Sequence, residues 1–228
     1  MPAKRRFPPD DWSAAGPFPN RRKNRRGRHG RSVSSLRRTL GPRCSRRRAA
    51  TVYGLSPTTL PVADTFVPVE TNDQHLTEVL STLGYPGFTY LRSRAPKKHP
   101  NEFLLTALNQ TSLEARVAEA LPWVVANSAE LNSWLLENAR KYNLQNRLGF
   151  VVSLARRAAD KRNASTKAEN LKEFEALLDD SRLVKEDYFY RPPHTESETQ
   201  WLRSNRTEDA AHWNVLSDMK PEHLPYAS

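Results

Sequence analysis

Residues 143–147, NLQNR, carry the side chains best suited to meeting another molecule. Gln145 and Asn146 are amides that can bond an adenine edge, and Arg147 is the planar fork that can bond guanine. They lead straight into an apolar stripe within NLQNRLGFVVSLARRAA (143–159). This arrangement suits the second helix of a helix-turn-helix spanning 131–159. In that reading LNSWLLENARKY (131–142) is the first helix, Tyr142, Asn143 and Leu144 make the turn, and Val152 is the inward anchor. Two features oppose it. Gly149 stands where a branched apolar anchor is expected, and the stripe continues beyond the length a reading helix needs. An ordinary antiparallel helix hairpin explains the same residues. Gln145, Asn146 and Arg147 are therefore nucleic-acid candidates, with a core helix bearing a polar first turn as the alternative.

Enzymatic chemistry is harder to find. The chain has no GxSxG, P-loop, HExxH or GxGxxG. His194, His212 and His223 are far apart in sequence, with Glu208 and Asp209 near His212. Their convergence would make a small helical enzyme, a third reading. Isolated histidines near helix ends are more often hydrogen-bonded surface or core groups. Cys44, the single cysteine, excludes an internal disulfide and a cysteine-rich zinc site. No metal or cofactor site is expected. Trp123, Trp134, Trp201 and Trp213 fall in amphipathic stretches, where packing is the default role.

Charge is distributed unevenly along the 228 residues. The formal net charge is +11, but residues 1–50 hold 16 of the 36 Lys+Arg and two of the 25 Asp+Glu, leaving a net −3 for the rest. The polyanion-binding signal thus belongs to a basic arm, residues 1–65, with Arg21, Arg22, Lys23, Arg25, Arg26, Arg46, Arg47 and Arg48 in its densest runs. Its Arg/Pro/Ser/Gly composition predicts disorder. It reads as a phosphate-gripping arm, an organelle transit peptide, or a stretch upstream of a miscalled start. No run of about 18 apolar residues is present, so no transmembrane helix is expected.

The elements that must position these residues begin near residue 66. A short helix and a linker are expected over 66–100, with Leu76, Val79, Leu80 and Leu83 inward, Asp73 as cap and Gly84 as stop. A helical domain is expected over 101–226. Asn101 is a candidate cap for 101–109, and Thr111 with Glu114 has capping-box spacing before 113–121. Pro122 suits a first turn or a kink. Asn127 or Asn132 can cap 131–142, and Asn143 suits a left-handed bend. Thr166 and Glu169 precede LKEFEALLDD (171–180), with Leu171, Phe174, Leu177 and Leu178 inward. YFYRPPHT (188–195) is a proline-broken crossing, Thr195 and Glu198 start another helix, and 210–216 forms a last one around Trp213. The fold class is therefore all-α, a compact bundle of six to eight short helices preceded by the disordered arm, without a convincing strand pair.

LPWVV (121–125), NLQNRLGFVVSLAR (143–156), HWNVLSDM (212–219) and HLPYA (223–227) together resemble a group of poorly characterised bacterial helical proteins. In that group such a region accompanies or follows a helix-turn-helix regulator domain, and some members look antitoxin-like. The resemblance covers about residues 100–227. It implies a bacterial, cytoplasmic, non-enzymatic helical module with a protein or DNA partner. The leading expectation is a regulatory or interaction module acting through protein–protein contact. The alternative is a transcriptional regulator reading DNA with 131–159.

Overall fold

Helix starts and stops follow local chemistry along the chain. In the computed structural model, residues 65–91 and 95–224 are described, with Gly54 and Ser56. The basic-arm residues Arg21, Arg22, Lys23, Arg25, Arg26, Arg46, Arg47 and Arg48 lie outside the described residues, as does Cys44. Helix α1 is Asp73–Leu83. Asn72, rather than Asp73, caps it by accepting from the His75 N–H at 2.8 Å. Gly84 ends it in the left-handed conformation at φ 87°, which glycine adopts without strain. A short 3₁₀ turn, Pro86–Phe88, follows.

Helix α2, Pro100–Leu108, starts one residue earlier than expected, with proline in its first turn and His99 as cap. Asn101 is freed for a different task. Its amide donates to Glu130 O at 2.8 Å and accepts from Glu130 N at 2.9 Å, tying α2 to the turn after α3. Helix α3 is Ala115–Asn127 and carries Pro122 in its interior. Glu114 precedes it without a side-chain cap bond, so the Thr111–Glu114 capping box does not form. Helix α4, Ser133–Lys141, is capped by Asn132. Asn143 then takes φ 56°, the tight bend that brings the chain back.

Helix α5, Gln145–Lys161, is the central helix of the described fold. It packs on α3, α4, helix α6 (Ser165–Asp179), and the later elements. Helix α7 is Glu196–Asn205, capped as expected by Thr195, whose hydroxyl accepts from Glu198 N at 3.1 Å. Helix α8, Glu208–His212, stops before Trp213, because Asn214 turns left-handed at φ 51°. The expected helix over 210–216 is therefore replaced. Val215–Leu216 forms strand β2, which pairs in parallel with β1, Asp187–Tyr188, and a 3₁₀ turn over Pro221–His223 comes last. Two residues per strand leave no periodicity for a sequence to display.

The protein is an all-α bundle of eight α-helices among the described residues, with this one small strand pair. One apolar core runs from Phe66 to Leu224, so the segment 66–100 packs into the same core as the rest. Tyr142 donates its hydroxyl to Phe66 O, and Gln110 holds Val69 O at 3.0 Å and Thr71 N at 3.2 Å, strapping the extended segment 66–71 onto α2 and α4. No helix of the described residues is long and apolar enough to cross a membrane.

Candidate interaction site

The first turn of α5 faces inward. Gln145, Asn146 and Arg147 are 4%, 1% and 8% exposed. Gln145 Nε2 donates to Ser181 O at 3.1 Å. Asn146 donates to Leu183 O at 2.9 Å and accepts from Leu183 N at 2.8 Å, matching that residue's backbone as a neighbouring strand would. Arg147 grips Asp187 through two parallel bonds of 2.7 and 2.8 Å. Its remaining Nη1 donates to Leu108 O at 2.8 Å and Gln110 O at 3.1 Å, carbonyls at and just past the end of α2. The Tyr188 ring lies against the guanidinium, 4.8 Å from its carbon. Three successive residues thus clamp three points of the segment 181–187. Base reading needs side chains exposed to a groove, and this geometry runs against that expectation for all three. Gln145 Oε1 is buried without a hydrogen-bond partner.

Gly149 has an equally structural reason. A Cβ at this position would lie 2.5 Å from Cδ2, Cε3 and Cζ3 of Trp213. The indole rests on the α5 backbone, and its Nε1 donates to Ser153 Oγ at 2.7 Å. Ser153 in turn meets Glu175 Oε1 at 2.6 Å, whose other oxygen accepts from Arg156 Nε at 2.6 Å. This chain of polar contacts joins α5, α6 and Trp213, running from the buried indole out to the half-buried Glu175 and Arg156.

The histidines are not gathered. His212 pairs with Asp179 at 3.0 Å, the His194 backbone N–H donates to Glu198, and His223 lies in the last 3₁₀ turn. Asp209 binds Arg157 instead of His212, and Glu208 is exposed. No group of three His, Cys, Asp or Glu among the described residues is placed to hold a metal ion. A cleft of about 440 Å³ between α5, α8 and the last 3₁₀ turn is lined by charges, most of which pair within the chain, among them Arg157 with Asp209 and Lys161 with Glu222.

A larger opening lies between the end of α3, the segment 128–131 and α6. This groove has a volume of about 600 Å³. Its floor is apolar: Val125, Ala126, Ala129, Leu131, Leu171 and Phe174. Lys167 marks one end, with Nζ donating to Asn127 Oδ1 at 3.3 Å. At the other end the Arg140 guanidinium holds Leu177 O at 2.9 Å. The Leu177 side chain, expected inward with Leu178, is 50% exposed. Only Leu171, Phe174 and Leu178 of that set reach the core; Leu177 lies about a quarter of a turn off their face. The periodic pattern marked it as core because leucine is apolar, and nothing local to the sequence revealed that its side was uncovered. Trp201 departs in the same way, at 53% exposed on α7, while Trp213 is fully buried.

Compared with known proteins, the chain matches no family model, no curated protein and no solved structure.

Proposed function

We propose that the helical unit is a non-catalytic protein-interaction module that holds a polypeptide partner in the groove between α3 and α6. The observation that carries this reading is the apolar floor of that groove, open to solvent and ending at the half-exposed Leu177. Helix-in-groove recognition needs an apolar trough of this kind with polar residues along its rim, which Lys167, Asn170 and Glu173 supply. The polar turn 145–147 supports the same reading indirectly, because its hydrogen bonds serve the fold rather than a nucleic acid. A regulatory role, including the antitoxin-like one the resemblance implies, would act through this contact.

The test is site-specific photo-crosslinking in cells that express the chain. A photoreactive side chain at position 177 is expected to give an adduct with another polypeptide, and the same group at the exposed position 208 is not. Equal labelling at both positions, or none at 177, would overturn the reading.

A further inference from the structure

Buried side chains lock most of the bundle, but one stretch is held otherwise. From Tyr190 to Glu208 no residue is buried, nineteen in succession and the longest such run among the described residues. Phe189 before it and Asp209 after it are both buried. The run contains α7, which has no buried residue, whereas every other described α-helix has at least two. Trp201 is half-exposed and Leu202 only half-buried. An element with so few buried apolar contacts opens at lower free energy than the rest of its fold.

Helix α7 rests on β2, and the fit between them is loose. A void of about 50 Å³ remains there, with Tyr190, Pro193, Trp201, Leu202, Leu216 and Ser217 among its lining. A gap of that size admits water. What holds the helix down is ionic. Glu186, just before β1, accepts from Arg203 Nε at 2.9 Å with one carboxylate oxygen and from Arg206 Nη1 at 3.1 Å with the other. The pairs Arg191–Glu198 and Arg203–Glu196 stay inside the run.

Both ends of the run are anchored. Tyr190 O accepts from Leu113 N at 2.6 Å, and the Thr207 hydroxyl caps α8 by accepting from Ala210 N at 3.2 Å. Between these anchors and α7 the backbone is non-helical, over 191–195 on one side and at Arg206 on the other. Hinges of domain and lid motions lie at such element ends.

We infer that α7 is a lid on β2, hinged at 191–195 and Arg206 and latched by Glu186, which opens as a unit while the bundle stays folded. Opening bares Leu202 and Leu216 together. Salt favours it, because ions screen a partly exposed latch and leave buried packing intact. The device stands apart from the groove between α3 and α6.

The test is hydrogen exchange of the purified full chain, read by mass spectrometry on peptides from α7 and α5. Amides of 196–205 should exchange about 100-fold faster than those of 148–158. Glu186→Gln should speed α7 about tenfold further, the combined worth of two partly exposed ion pairs, and leave α5 unchanged. About 1 M sodium chloride should speed α7 in the wild type and have little effect in the variant. The inference is overturned by an α7 as slow as α5, by α5 rising in step with α7, or by an α7 indifferent to the substitution or to salt.

Discussion

Trp213 occupies the space that a side chain at Gly149 would need, with three ring carbons 2.5 Å from the position of a Cβ. The pair lets a large ring, fully buried, lie flat against the central helix. It also sets a prediction. Gly149→Ala should destabilise the fold by about 1–3 kcal/mol despite alanine's better helix propensity, because neither the ring nor the backbone can move aside. Trp213→Leu should cost about 3 kcal/mol or more alone. Combined with Gly149→Ala it should cost less than the sum, since the smaller side chain makes room for the methyl. Urea unfolding of the four chains measures the coupling. Additive effects would mean that the two residues do not compete for one space.

Arg147 and Asp187 are the second such pair. The guanidinium holds both carboxylate oxygens and two backbone carbonyls at once. Arg147→Met should therefore destabilise by about 3–5 kcal/mol, because it strands Asp187 and the two carbonyls together. Arg147→Lys keeps the charge but lacks the planar fork, and should recover only part of the loss. A lysine variant with wild-type stability would show that charge alone suffices and that the four-bond geometry is incidental.

The neighbouring amides should behave differently from each other. Asn146 makes a complete pair with the Leu183 backbone, so Asn146→Leu should cost about 1–2 kcal/mol. Gln145 gains one bond to Ser181 O but buries its own Oε1 without a partner. Gln145→Met removes both the bond and the penalty, and should change stability by less than about 0.5 kcal/mol. Denaturation midpoints rank the two. If Gln145→Met proves as costly as Asn146→Leu, Oε1 is satisfied after all.

These residues also mark the limit of what the sequence could reveal. The stripe from Leu144 to Ala159 predicted α5, and Asn143 and Thr195 were readable as bend and cap, because each depends on neighbours within one or two turns. The direction faced by Gln145, Asn146 and Arg147 depends on a segment nearly forty residues later. Amides and arginine look alike in sequence whether they clamp a chain or greet a base. Gly149 was recognisably out of place for a reading helix, but its reason, Trp213, lies beyond any local window. His99 takes the cap role expected of Asn101 for the same kind of cause, since the Asn101 amide is occupied by Glu130 across the fold. Leu177 obeyed the apolar pattern and missed the core because no element among the described residues covers its side of α6.

His99 supplies the pH prediction. Its Nδ1 accepts from the Asn101 N–H at 3.2 Å to cap α2, a role open only to an unprotonated nitrogen. Burial pushes the imidazole below its ordinary value, against the opposing pull of Glu130 and Glu102. The folded state thus binds this proton less readily than the unfolded chain. Its contribution to stability is complete above the unfolded value of about 6.5 and is lost as pH falls through the lower folded value. Asparagine also caps helices but does not titrate, so His99→Asn isolates the effect. Urea unfolding of both chains between about pH 7.5 and pH 5 should show the wild type losing stability relative to the variant on acidification. Other titrating groups cancel in that difference. A difference that stays flat would mean that the cap survives protonation, and one that moves in the wild type's favour would mean that Glu130 and Glu102 outweigh burial.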